Sequence, residues 1–80
     1  MIMWKEENDC LVKEFKFPDF RTAFAFMTRV AFEAEAMNHH PDWCNVYNRV
    51  TIRLNTHDAA GKVTEKDHSL AKRIDGIITP

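Results

Sequence analysis

Long apolar runs, clusters of positive charge and paired cysteine motifs are all missing from these 80 residues, and each absence closes off a class of function. No apolar stretch approaches the roughly 20 residues that span a bilayer, so no membrane partner is expected. The formal net charge is −1 and Lys and Arg form no cluster, which argues against nucleic acid as a direct ligand. Cys10 and Cys44 lie far apart, make no CxxC pair and follow no signal peptide. A disulfide framework is therefore not expected, and a reducing, cytoplasmic setting is. Glycine occurs twice and the three prolines sit at element boundaries, so no linker or low-complexity tract divides the chain. Residues 1–80 are expected to form a single domain.

The remaining composition, 45% hydrophobic and 29% charged, is that of an ordinary globular domain. A core built from so few residues is small, and with no disulfide the expected reinforcement is self-association, as a dimer or tetramer. The opening stretch IMWKEENDCLVKEFKF reads as two short strands. Ile2 and Trp4 alternate with polar neighbours, as do Leu11, Phe15 and Phe17 around Lys13, Glu14 and Lys16. Asn8 and Asp9 between them are turn formers, which suggests a hairpin.

Pro18 ends this pattern and Asp19 is a fitting N-cap for a helix. Phe20, Ala23, Phe24, Met27, Val30, Ala31 and Ala34 recur at three- and four-residue steps and form the expected apolar stripe. Phe32 falls on the opposite side, with Ala25 and Ala36. It reads either as a subunit contact or as a lone exposed aromatic. The helix should fail between Asn38 and Pro41. VYNRVTIRLNTH then alternates as a half-buried strand of about eleven residues, about 35 Å long, with Val50, Ile52 and Leu54 inward. DAAGK is a loop, and Thr64 caps a last helix with Leu70, Ala71, Ile74, Ile77 and Ile78 inward. The fold class is α+β: an antiparallel sheet of about four strands in the order β-β-α-β-(β)-α, with helices packed on one face.

Chemistry-bearing side chains gather at the ends of these elements: Glu35, His39, His40 and Trp43 after the first helix, Tyr47 and His57 at opposite ends of the long strand, and Asp67 in the first turn of the last helix. Tyr47 and His57 are too far apart to share a pocket. If the three imidazoles form one site, either the helix–loop returns His39 and His40 to the His57 end, or a bulge in the strand or a neighbouring subunit relieves the difficulty. Three readings of the histidines stand side by side. They can cap the helix C-terminus. They can bind zinc with an open position, although HxxxH spacing is missing. They can serve as acid–base catalysts beside the flat face of Trp43, because imidazole titrates near neutrality. Glu35 is by default a surface carboxylate, and Asp67 suits a helix N-terminus without any function. His68 is expected to be exposed, and Cys44 has no base to activate it.

The ordered set Glu35, three residues, His39-His40-Pro41, five residues, Tyr47, nine residues, His57, nine residues, Asp67 resembles the pterin-4a-carbinolamine dehydratase family. The similarity runs from about Phe15 to Ile74 and includes FMTRVAFEAEAMNHHPDWCNVYNRV and LNTHDAAG. The resemblance implies a dehydratase that removes water from a 4a-hydroxytetrahydropterin to give the quinonoid dihydropterin, in tetrahydropterin recycling, with neither metal nor organic cofactor. It assigns acid–base work to His39 and His57, substrate orientation to His40, and completion of the pocket to Glu35, Trp43 and Asp67. It also implies a homo-oligomer. Members often carry a longer N-terminal segment, and the loop after His57 reads DAAGKVTEKD where relatives also show acidic-Cys or Ala-Gly-Gly patterns. The alternative is a non-catalytic pterin-binding protein or a dimerisation cofactor of a transcription factor, a role some animal members have and the motif residues do not encode.

Overall fold

The computed structural model describes residues 3–78. Its elements are β1 (Lys5–Glu7), β2 (Cys10–Lys16), α1 (Phe20–Met37), β3 (Asp42–Val46), β4 (Arg49–Leu54), a 3-10 turn (His57–Ala59) and α2 (Glu65–Ile78). The strands pair antiparallel in the order β1-β2-β4-β3. The expected α+β architecture is the one observed. No helix among the described residues is long and apolar enough to cross a membrane. Ile2, expected to alternate with Trp4 in the first strand, lies outside the described residues, and β1 itself begins only at Lys5.

The β1–β2 turn is the one its residues suggest. Asn8 and Asp9 both take positive φ, 52° and 62°, as a two-residue type I′ hairpin requires. The long strand expected over 46–57 is a different matter. It is the end of β3, a turn at Tyr47–Asn48, and the six-residue β4. Tyr47 adopts φ 52°, a left-handed conformation that no β-propensity of tyrosine signals. Asn45 braces the reversal by donating from Nδ2 to the carbonyls of Tyr47 and Arg49. The consequence is functional. Because β3 and β4 form a hairpin, the chain entering β3 and the chain leaving β4 emerge at the same end of the sheet.

Helix α1 starts at Asp19, whose carboxylate accepts from the Thr22 amide at 2.8 Å. The Thr22 amide and then its hydroxyl hold the Asp19 carboxyl below the usual carboxylate range. The cap therefore contributes in full at neutral pH and fades as acid protonates it. The buried stripe of α1 is Ala23, Phe26, Val30 and Ala34, rotated from the expected one. Phe20 and Phe24, expected inward, are 47% and 55% exposed and pack on each other at 5.8 Å, and Ala31 is exposed too. Alanine and phenylalanine occur around most of this helix, so periodicity alone does not fix its phase; Phe26 wins because Phe15 and Phe17 flank it at 4.8 and 5.0 Å. Phe32 is 73% exposed.

Leu11, Phe15, Val50, Ile52 and Leu54 of the sheet meet these α1 residues and Leu70, Ala71 and Ile74 of α2 in one core. Ile77 is half-buried, and Ile78, expected inward, is 45% exposed at the helix end. The strand register places Lys13 on this same inner face, between Leu11 and Phe15 and opposite Ile52. Its ammonium lies 4.9 Å from the Phe15 ring centroid and 2.8 Å from Asp75 of α2, and Trp4 donates its indole N–H to the same carboxylate. This cluster ties the N-terminal edge of the sheet to α2.

A charged group held on an inner face is costly mainly when its partner is removed. Asp75→Ala is expected to lower stability by about 1–3 kcal/mol, because it strands the Lys13 ammonium and the Trp4 N–H together. Lys13→Met, which replaces the cation with an apolar chain of similar length, is expected to cost under about 1.5 kcal/mol. Urea unfolding of both variants measures the asymmetry. Equal losses would contradict it.

Candidate functional site

The site is built where α1 ends. Asn38 takes a left-handed conformation (φ 51°, ψ 44°) and its amide and that of His39 bond back to Glu35 and Ala34, both at 3.0 Å. These two reverse bonds form a Schellman motif, so the helix stops on Asn38 rather than on Pro41. The cap of the helix end is thus the backbone of His39, which leaves both imidazoles free for other work. His39 turns inward and is 8% exposed, while His40 remains outside.

The second half of the site comes from the segment after β4. Thr56 bonds through its amide to the Lys62 carbonyl at 2.8 Å, and its own carbonyl accepts from Ala59 and Gly61. Residues 56–62 therefore close into a compact loop, and Gly61 at φ 73° takes a conformation that favours glycine. His57 stands on the 3-10 turn at the start of this loop. The open end of the β3–β4 hairpin thus faces His39 and His40 from one side and His57 from the other. Together with Asn38, Asn55, Thr56, Asp58 and Lys66 they line an open cleft of about 240 Å³. The three histidines do meet, at the end away from Tyr47.

Behind the cleft sits Asp67, with no exposed surface. Its Oδ1 lies 2.5 Å from His39 Nε2, and its Oδ2 accepts from the Thr56 hydroxyl and the Thr64 amide, each at 2.8 Å. The Thr64 hydroxyl in turn accepts from the Lys66 amide at 3.3 Å, so Thr64 caps α2 with Asp67 completing a reciprocal box. Glu35 Oε1 is 2.8 Å from His40 Nε2, on the surface. Trp43 is paired with Ile52 and packs half-buried against the core, outside the cleft lining. Tyr47 is exposed in its turn and His68 is exposed on α2, as expected for the latter. Cys10 and Cys44 are both free, and Cys44 is exposed. Among the described residues no three His, Cys, Asp or Glu side chains gather as a metal site, the imidazoles being directed to separate carboxylates and to the cleft.

Five lining residues, Asn38, Asn55, Thr56, Asp58 and Lys66, escaped the sequence reading as site residues, and two of them bear directly on the chemistry. Thr56 was hidden inside a strand pattern, although a buried threonine next to a histidine is the sort of polar core position that needs a partner. Lys66, beside Asp67 on the first turn of α2, is exposed and puts a cation at the cleft mouth. A lysine on a helix surface gives no signal of such a role.

The arrangement combines a small polar cleft, one imidazole held by a buried carboxylate, and two exposed imidazoles in the same lining, which is the equipment of an acid–base site. Comparison with known proteins gives the family. The chain belongs to the pterin 4 alpha carbinolamine dehydratase family, whose model matches residues 2–77. A protein of Opitutus terrae, whose name assigns it provisionally to pterin-4-alpha-carbinolamine dehydratase, is 61% identical over 92% of this chain and 76% of its own length. A similarly named protein of Solibacter usitatus is 57% identical, over 92% and 77%. A crystal structure from Brucella melitensis, described as a transcriptional coactivator/pterin dehydratase, superposes with a TM-score of 0.86 at 42% identity, covering 92% of this chain and 80% of that one. A pterin dehydratase-like RuBisCO assembly factor of the alpha-carboxysome shares the fold, with a TM-score of 0.81 at 24% identity over 95% and 89% of the two chains.

Because Asp67 holds two elements and a histidine from full burial, Asp67→Asn is expected to lower stability by about 2–4 kcal/mol, since an amide group faces at least one of its three donors with the wrong sign. His57→Ala, at an exposed position, should stay within about 0.5 kcal/mol of the wild type. Denaturant unfolding separates them. An Asp67→Asn protein as stable as wild type would contradict the network as described.

Proposed function

We propose that the chain is a dehydratase acting on a 4a-hydroxytetrahydropterin. The reaction removes the proton from N5, breaks the C4a–O bond and releases the oxygen as water, and the N5–H electron pair becomes the C4a=N5 double bond of the quinonoid dihydropterin. One group must take the N5 proton and another must give one to the departing oxygen. The observation that carries the reading is the pairing of His39, backed by the buried Asp67 carboxylate, with His57 across one small cleft. His39 is the better acceptor, since Asp67 stabilises the imidazolium that forms, and His57 is the donor. His40 orients the substrate and is itself steadied by Glu35. Trp43 acts through packing of the hairpin behind the site. The reaction serves tetrahydropterin recycling in the cytoplasm, where the two free cysteines would stay reduced.

We also propose a homo-oligomer. The exposed face of α1 carries Phe20, Phe24 and Phe32, which is more apolar surface than the Ala25–Phe32–Ala36 face read from the sequence. The outer edge of β3 offers backbone groups with no strand beside them among the described residues. Both suit a symmetric copy of the same chain.

That same aromatic face supports a second reading, in which the domain binds or assembles a partner without catalysis; the Brucella melitensis neighbour is itself described as a transcriptional coactivator as well as a pterin dehydratase. Stopped-flow measurement of hydroxypterin dehydration decides between the two. The dehydratase reading expects acceleration above buffer, with His39→Ala and His57→Ala each lowering kcat by roughly 10²-fold or more. His40→Ala should raise KM with kcat little changed. No acceleration by folded wild-type protein ends the enzyme reading. In sedimentation, wild type is expected as a dimer or tetramer and Phe32→Glu as a smaller species. A monomeric wild type at micromolar concentration contradicts the assembly.

A further inference from the structure

The Thr56 and Thr64 side chains form a hydrogen-bond chain whose direction can be read without seeing a hydrogen. Thr56 has one hydroxyl proton and donates it to Asp67 Oδ2 at 2.8 Å. Its contact with the Thr64 hydroxyl, at 2.5 Å, must then be one in which Thr64 donates. The Thr64 amide can only donate, and it donates to the same Oδ2. Every proton in the chain thus points towards the carboxylate. With two donors already on Oδ2, the remaining oxygen, Oδ1, accepts from His39 Nε2–H.

From this polarity we infer that Thr56 and Thr64 are positioning residues that act through Asp67 to hold His39 as the Nε2–H tautomer, leaving Nδ1 as the nitrogen that meets substrate. Nδ1 has no hydrogen-bond partner among the described residues, and no buried side-chain nitrogen or oxygen there lacks one. Nδ1 is therefore open to the cleft that His39 lines. The charged and titratable groups around this ring are Asp67 behind it and His40, His57, Asp58 and Lys66 on the cleft side. Among the described residues, Asp67 is the only one of these hydrogen-bonded to it. Loss of the Thr56 hydroxyl leaves Oδ2 held by the Thr64 amide alone, loosens the carboxylate and with it Oδ1, and lets the ring sample the other tautomer, in which Nδ1 carries a proton and cannot accept one.

The kinetic half of this inference rests on the dehydratase reading; the tautomer half does not. Long-range ¹H–¹⁵N correlation spectra of the free protein, at a pH where the His39 ring is neutral, read the tautomer directly. The expected wild-type signature is a protonated Nε2 and a bare Nδ1. Thr56→Val, which keeps the shape but removes the hydroxyl, should show mixed tautomers, with kcat lower by roughly ten- to a hundredfold and KM little changed. Thr56→Ser should restore both. Thr64→Ala, which keeps the amide bond to Asp67 and deletes only the outer hydroxyl, should fall between and serves if Thr56→Val does not fold. A wild-type ring protonated on Nδ1 overturns the inference, as does a folded Thr56→Val or Thr64→Ala protein whose tautomer and kcat match wild type. If the tautomers behave as expected but the wild type does not dehydrate hydroxypterins, the positioning role stands and the dehydratase reading falls.

Discussion

Asp67 is a carboxylate with no exposed surface, and three separate pieces of the chain are organised around it. It receives the ring of His39 from the end of α1, the hydroxyl of Thr56 from the end of β4, and the amide of Thr64, the residue that caps α2. A buried charge without such partners would be strongly destabilising, so its presence makes each of those segments converge. The cleft exists because they do. The same interaction that closes the fold at this end also fixes the one imidazole that is both sheltered from water and able to reach a ligand.

The opposite end of α2 shows the same device in a different role. Asp75 gathers the Lys13 ammonium and the Trp4 indole N–H and pins the β1–β2 edge beneath the helix. A pair of acidic residues, two helical turns apart, thereby docks one amphipathic helix on a four-stranded sheet. The apolar core between them supplies most of the stability, while the two carboxylates set where along the sheet the helix rests. That division lets a small core coexist with a site whose residues come from three different elements.

The fold was legible in the sequence because its periodicities are long and its turns are marked. Asn8-Asp9 announces one hairpin, and the spacing of Leu70, Ala71 and Ile74 announces the last helix. The β3–β4 hairpin was not legible, since Tyr47 is a residue that favours strands and sits in the turn with positive φ. The phase of α1 was not legible either, because Phe20 and Phe24 are as apolar as Phe26 and only the neighbours Phe15 and Phe17 distinguish them. Of the site, the three histidines were visible as residue types. Their convergence followed only from the hairpin that the alternation concealed. Lys13 and Thr56 read as ordinary polar members of strand patterns, yet each lies on the inner side with a carboxylate as partner.

The dehydratase proposal stands or falls on His39, backed by Asp67, as the proton acceptor facing the substrate. A crystal structure with an unreactive dihydropterin bound tests it most directly. The expected result is the ring system in the cleft between His39 and His57, with N5 about 2.6–3.2 Å from His39 Nδ1 or bridged to it by one water. A pterin seated elsewhere on the surface, or bound in the cleft with N5 turned away from His39, would contradict it.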